Sequence, residues 1–113
     1  MIIVRETLTF EELKRMAARI FGDFVKAVVD VDRQLIAVDA ELHADLEAML
    51  LEDGSEQRYL WGINLYPEAG VDEFVEFDAM INVRPSQGNR SRGVDDATMR
   101  DNIVTIVQRR ILR

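Results

Sequence analysis

The fold of this chain depends on how residues 36–50, IAVDAELHADLEAML, are interpreted. Every even-numbered position in this stretch is apolar, and the odd-numbered positions from 39 to 47 are polar. An alternation with a period of two residues predicts a β-strand that has one buried face and one polar face. The apolar positions are Ile36, Val38, Ala40, Leu42, Ala44, Leu46, Ala48 and Leu50.

A helix over residues 43–52 is the alternative interpretation. Alanine, leucine and glutamate all favour helix. Leu42, Leu46, Met49 and Leu50 would also form an apolar helical stripe.

Pairing with the neighbouring segments favours the strand. In each of three predicted hairpins, apolar residues meet apolar residues, and a slip of one residue would turn every side chain to the opposite face. The turns lie at Asp32-Arg33, around residues 52–57 and at residues 67–73. The predicted pairs are Val29–Ile36, Ala27–Val38, Val25–Ala40, Leu50–Trp61, Ala48–Ile63, Leu46–Leu65, Leu65–Val75, Ile63–Phe77 and Trp61–Ala79.

Two amphipathic helices flank these strands. Thr9 and Glu12 have the spacing of a capping box at the start of the first helix, and Gly22 suits its C-terminal end. The last helix is predicted to begin at Asp96, which acts as its N-cap. Residues 1–6 predict a short strand at an edge of the sheet.

The sequence therefore predicts one α+β domain over residues 1–113. We expect an antiparallel meander of four long strands plus a short N-terminal strand, with the two helices packed on one face. A length of 113 residues and a hydrophobic fraction of 48% suit a single globular core.

Composition narrows the range of partners and locations. The chain has no cysteine, no apolar run long enough to span a bilayer and no signal-peptide pattern, so we expect a cytoplasmic protein that has no membrane partner. The net charge of −7 argues against nucleic acid as a partner, because phosphate binding needs a basic surface.

An arginine-rich loop, INVRPSQGNRSRG at residues 81–93, interrupts this acidic background. Guanidinium groups bind phosphate or carboxylate through paired hydrogen bonds, so the loop predicts an anion site. The alternative is structural, with the arginines bridging to Glu47, Glu76 or Asp78 and holding the loop in place. The candidate anion-binding residues are Arg84, Gln87, Asn89, Arg90, Ser91 and Arg92.

A second candidate site lies on the polar face of the predicted sheet. On the predicted register Glu47, Asn64 and Glu76 form one cross-strand row, and Asp78 lies in the next row beside Met49 and Gly62. Carboxylate and amide oxygens are ligands for hard divalent cations, so Glu47, Glu76 and Asp78 are candidate metal ligands. Further polar candidates on this face are His43, Asp45, Asn64 and Asn82.

The same face would also carry many apolar side chains, among them Phe24, Val28, Leu60 and Met80. Such a surface is too apolar to be left open to water. Either the sheet curls over itself or a second subunit covers this face, and we favour a homodimer.

Three segments resemble a family of small prokaryotic proteins that share a domain of unknown function. They are ELHADLEAMLLEDGS (41–55), LWGINLYP (60–67) and INVRPSQGNRSRGV (81–94), of which RPSQGNRSRGV is the most specific. The resemblance spans the chain and implies a single-domain protein. It implies no catalytic residue.

Three functions remain open from the sequence. The favoured one is a binding module whose arginine loop holds a small anion or an acidic partner segment. The second is a metal-assisted enzyme acting on a phosphorylated substrate, for which Mg²⁺ or Mn²⁺ would be the cofactor; no other cofactor is expected. The third is a homodimeric interaction protein that has no small ligand.

Overall fold

The computed structural model describes residues 1–113 and contains three α-helices and seven strands. The helices are α1 (Phe10–Ile20), α2 (His43–Glu52) and α3 (Ala97–Arg110). The strands are β1 (Ile2–Val4), β2 (Leu8–Thr9), β3 (Val25–Asp30), β4 (Leu35–Val38), β5 (Leu60–Leu65), β6 (Val75–Glu76) and β7 (Ile111–Leu112). None of the helices combines the length and the apolar character needed to cross a membrane.

The main sheet has five antiparallel strands in the order β1-β4-β3-β5-β6. Its β3–β4 hairpin confirms two predicted pairs, Val29↔Ile36 and Ala27↔Val38. β1 is the predicted edge strand and pairs with β4. A separate parallel pair, β2 with β7, joins the two ends of the chain.

The prediction of one strand over residues 36–50 is wrong, because β4 ends at Val38 and residues 43–52 form helix α2. Asp39 adopts a left-handed conformation (φ 76°), which turns the chain out of the sheet. Within α2, Leu46 and Leu50 are buried one helical turn apart, whereas Ala44 and Ala48 are exposed. The apolar alternation that predicted a strand therefore depended partly on alanines, which tolerate both buried and exposed positions.

Strand β5 consequently pairs with β3 instead of with residues 46–50. The register is Val25↔Leu65, Ala27↔Ile63 and Val29↔Trp61. The expected pairs Leu46–Leu65, Ala48–Ile63, Leu50–Trp61 and Val25–Ala40 do not form. Helix α2 connects β4 to β5 across β3, so the sheet is not a meander.

The helices lie on both faces of the sheet, because α2 adds a layer that was not expected beside the two predicted helices. Helices α1 and α3 pack on the first face, within a core of 20 buried residues that includes Leu13, Ile63 and Ile103. Helix α2 covers the second face, where Leu46 and five other residues form a smaller core. The apolar side chains that suggested a dimer are thus largely covered within one chain.

Local signals at the helix ends are confirmed. Thr9 and Glu12 form the predicted capping box of α1, with both reciprocal hydrogen bonds present. Gly22 follows α1 with φ 97°, a conformation that glycine adopts without strain. Asp96 caps α3 by accepting a hydrogen bond from the backbone of Thr98.

The edge strand β6 is much shorter than predicted. It pairs Leu65 with Val75, as expected, and Asn64 with Glu76. Beyond Glu76 the predicted pairs Ile63–Phe77 and Trp61–Ala79 are absent from the sheet. The chain instead enters a 3₁₀ turn at Met80–Asn82, which lies beside β5.

Candidate functional site

A cleft of about 500 Å³ opens on the α2 side of the sheet, between the start of α2 and the end of β5. We call it the Asn64 cleft. Its polar lining includes four of the candidate residues from the polar face and one arginine of the loop. These five residues are His43, Asn64, Glu76, Asp78 and Arg92.

A row of three polar residues crosses the strands at the floor of this cleft. Lys26 lies opposite Asn64, and Asn64 lies opposite Glu76. The Asn64 Nδ2 atom donates to Glu76 Oε1 at 2.8 Å, and the Tyr66 hydroxyl donates to the same oxygen at 3.1 Å. Partial burial and the Glu76 carboxylate raise the pKa of Tyr66. The predicted neighbourhood of Asn64 and Glu76 is therefore observed, with Lys26 in the place expected for Glu47.

The other end of the Asn64 amide lacks a hydrogen-bond donor. Asn64 is only 6% exposed, and its Oδ1 atom is buried without a partner. Buried acceptors are normally satisfied, so this unpaired oxygen on a residue that lines the cleft is unusual.

His43 is buried at the start of α2 and lines the cleft. Its Nε2 atom lies 2.9 Å from the carbonyl oxygen of Ile63, so Nε2 carries the proton and donates. Burial lowers the pKa of His43, and the positive charge of Lys26 lowers it further, while the Ile63 carbonyl, Asn64 and Asp78 oppose these effects. His43 is therefore mainly neutral at pH 7.

The charged groups of the cleft balance one another. Arg92 Nε contacts Asp78 Oδ1 at 2.7 Å, and both side chains remain partly exposed. The Lys26 ammonium lies 5.1 Å from the centre of the Phe21 ring and makes no ion pair. The charges of the cleft sum to zero, because Lys26 and Arg92 are positive and Glu76 and Asp78 are negative.

The three arginines of the loop do not converge, contrary to the expectation of a shared anion site. Arg84 is only 8% exposed, donates to the Gln57 carbonyl at 2.6 Å and stacks on Trp61 with 4.2 Å between the guanidinium carbon and the ring centre. Burial lowers the pKa of Arg84, and the charge of Glu47 opposes this. Arg90 is exposed and lies outside the cleft lining. Of the three arginines, only Arg92 lines the cleft.

Asn89 and Ser91 hold the loop together internally. The Asn89 amide donates to the carbonyls of Asn82 (2.7 Å) and Gly93 (2.9 Å) and accepts from the backbone of Asp95 (2.8 Å). Ser91 donates to the Asp95 carboxylate, and this bond contributes most to the lowered pKa of Asp95. Gln87 lies in an exposed 3₁₀ turn and does not line the cleft.

Asn82 is fully buried behind the cleft and takes the place of a missing strand. Its Oδ1 atom accepts from the Gly62 backbone at 2.8 Å, and its Nδ2 atom donates to the Gly62 carbonyl at 2.9 Å. A Cβ atom on residue 62 would overlap Ala79, so this position requires glycine.

The predicted row of Met49, Gly62 and Asp78 does not exist, because Met49 belongs to α2.

The three candidate metal ligands are not placed together. Glu76 and Asp78 line the cleft, whereas Glu47 lies on α2, outside the cleft lining. Asp45 is exposed in the first turn of α2. No group of three or more histidine or acidic side chains has a geometry that could hold a metal ion.

Sequence reasoning placed Lys26 in a strand but missed its position in the cleft. Phe24 was expected on the apolar face that a dimer would bury. Only the pairing of β3 with β5 brings Lys26 and Asn64 together, and this pairing requires residues 43–52 to leave the sheet. The helical propensity of that segment was the available signal.

Comparison with known proteins identifies one family. Residues 2–110 match the family described as protein of unknown function (DUF5674), so the match covers nearly the whole chain. No curated protein matches the chain. No solved structure matches it either.

Proposed function

The chain belongs to this family of unknown function, and we propose that it is a binding module that holds a small anionic molecule in the Asn64 cleft. The observation that carries the proposal is the meeting of Lys26, Arg92 and the start of α2 around one cavity of about 500 Å³. A cavity of this size suits a small metabolite.

The start of α2 adds positive potential to this cavity. Leu42, the N-cap residue, provides no side-chain hydrogen bond, so the first amides of the helix lack a side-chain cap. Leu42, His43 and Ala44 all line the cleft. Free amides at a helix start favour an anion through their aligned dipoles.

The two basic side chains keep capacity for a ligand. Arg92 contacts Asp78 through Nε, which leaves the two terminal guanidinium nitrogens for a carboxylate or phosphate. Lys26 has no acidic partner. The proposal therefore retains the anion of the sequence prediction and moves its site from the whole arginine loop to Arg92 and its neighbours in the cleft.

Calorimetric titration with phenyl phosphate and with 3-phenylpropanoate tests this proposal. Arg92→Gln should weaken binding of both by roughly tenfold, the effect of losing one charge-assisted hydrogen bond. Arg90→Gln is the matched control, because Arg90 belongs to the same loop, is exposed and lies outside the cleft lining. Equal losses in both variants, or no binding of either compound, would contradict the proposal.

Other expectations from the sequence stay predictions. They are the metal-assisted reaction with Mg²⁺ or Mn²⁺, the homodimer and the cytoplasmic location. Since α2 covers the second face of the sheet, a dimer would need a different surface from the one that first suggested it.

A further inference from the structure

The charge pattern of the Asn64 cleft suits a ligand that carries both charges. Lys26 and Glu76 stand on opposite sides of Asn64 in one cross-strand row. A simple anion would satisfy Lys26 and Arg92 but would leave Glu76 and Asp78 facing a negative charge. Like charges brought together in a partly enclosed site weaken binding. A ligand with a positive group beside Glu76 avoids this cost.

The unsatisfied acceptor of Asn64 independently requires a donor. Asn64 Oδ1 is buried and has no partner, while its Nδ2 atom already donates to Glu76. An ammonium group supplies three donors. Placed beside Glu76, it would contact the carboxylate directly and would lie next to the Asn64 amide.

The walls and rim of the cleft are apolar. The rings of Phe24 and Tyr66 are stacked with centres 5.4 Å apart, and both residues line the cavity. Leu42 and Met80, on the rim, are 55% and 65% exposed. Large apolar side chains left exposed around a polar floor indicate that the ligand has an apolar part.

We infer that the ligand is an amphipathic zwitterion of the α-amino-acid type. Its ammonium group contacts Asn64 and Glu76, its carboxylate contacts Lys26 and Arg92, and its apolar side chain packs against Phe24 and Tyr66. This inference rests on the proposed function and specifies the ligand class of the same cleft.

Three probes of similar size separate the contributions of the charged groups. L-Phenylalanine carries both charges, 3-phenylpropanoate lacks the ammonium, and 2-phenylethylamine lacks the carboxylate. Calorimetric titration of the full chain should give a dissociation constant for L-phenylalanine at least about tenfold lower than for either analogue. Glycine, which lacks the apolar side chain, should also bind more weakly.

The variant Glu76→Gln tests the position of the ammonium. Glutamine keeps an oxygen that can accept from Asn64 and Tyr66 but removes the charge, and residue 76 is exposed, so the fold should persist. The variant should lose roughly tenfold in affinity for L-phenylalanine, whereas 3-phenylpropanoate should bind more tightly because the carboxylate that repels it is gone. The matched control is Glu73→Gln, an exposed acid outside the cleft lining.

The outcomes distinguish this inference from the proposed function. If 3-phenylpropanoate binds as tightly as L-phenylalanine and depends on Arg92, the zwitterion inference is wrong and the anion site stands. If Glu76→Gln strengthens binding of L-phenylalanine, the inference is again wrong. If none of the probes binds, both fail.

Discussion

At the scale of single residues, Asn82 shows how a side chain can complete a sheet. Strand β6 stops at Glu76, so the outer backbone groups of Gly62 have no strand beside them. The Asn82 amide satisfies both the N–H and the carbonyl of Gly62 and also donates to the Arg92 carbonyl at 2.9 Å. This side chain thereby connects β5 to the loop that positions Arg92 in the cleft.

Replacing Asn82 with alanine should destabilise the protein by about 2–4 kcal/mol, because several buried backbone groups lose their partners together. Urea denaturation would measure the change. Asn102→Ala, at an exposed position of α3, should change stability by less than about 0.5 kcal/mol. Similar stabilities for the two variants would show that water replaces the Asn82 amide at little cost.

His43 should make stability depend on pH in a defined window. Burial holds the pKa of His43 in the folded protein below its ordinary value of 6.5, so the unfolded chain takes up a proton first as the pH falls. The free energy of unfolding should therefore be highest above about pH 6.5 and should decline below it until the folded-state pKa is passed.

Urea denaturation at several pH values from 8 to 5 checks this, with His43→Gln as the comparison. Glutamine can still donate to the Ile63 carbonyl but does not titrate, so the decline should flatten. Asp53 and Asp95 also have lowered pKa values, but their ordinary value of 3.8 places their effect at lower pH. An equal decline in the variant would assign the pH dependence to other groups.

At the scale of elements, the three helices begin in different ways. Helix α1 begins with a complete capping box, and α3 begins with the single cap Asp96. Helix α2 has no side-chain cap at all. A helix that lacks local start signals depends on packing for its stability, which explains why α2 was predicted least well from the sequence.

Removing the N-cap of α1 should lower the stability of the protein by a measurable but limited amount. Thr9→Ala should lower the free energy of unfolding by about 1 kcal/mol, since it deletes the acceptor for the Glu12 amide. Thr105→Ala is the matched control, because the Thr105 hydroxyl only donates to the Asp101 carbonyl within an exposed turn of α3. A loss below about 0.3 kcal/mol for Thr9→Ala would indicate that water caps the helix equally well.

At the scale of the whole molecule, two cores of unequal size lie on the two faces of the sheet. The core under α1 and α3 contains 20 buried residues, and the core under α2 contains six. Apolar burial is the main source of stability, so the α2 layer is held more weakly than the opposite layer. This layer also forms the wall of the Asn64 cleft, where a ligand would add contacts.

Native-state hydrogen exchange should therefore separate the two layers. Amides in the middle of α2, such as that of Leu50, should exchange through an opening of lower free energy than the amides of β3. Amides of α1 that pack on the larger core serve as the internal comparison. Equal protection of α2 and β3 would show that both cores unfold as one unit.

The sequence by itself determined the features that depend on neighbours along the chain. These include the α1 and α3 caps, the β3–β4 register, the short pairing of Leu65 with Val75 and the α+β class. Each rests on turn chemistry, capping or a hairpin register, where the interacting groups are close in sequence.

Only the tertiary structure decided that residues 43–52 form a helix and not a strand. The Asn64 cleft exists because of that helix. The alternation of apolar residues fitted a strand, but alanines at two of its positions allowed α2 to expose them and to bury only His43, Leu46 and Leu50. The gain from covering the second face of the sheet comes from residues distant in sequence, such as Val28 and Leu60. Because local propensity for helix and the period of a strand nearly balance here, this long-range burial selects the helix and thereby brings Lys26, His43 and Asn64 together.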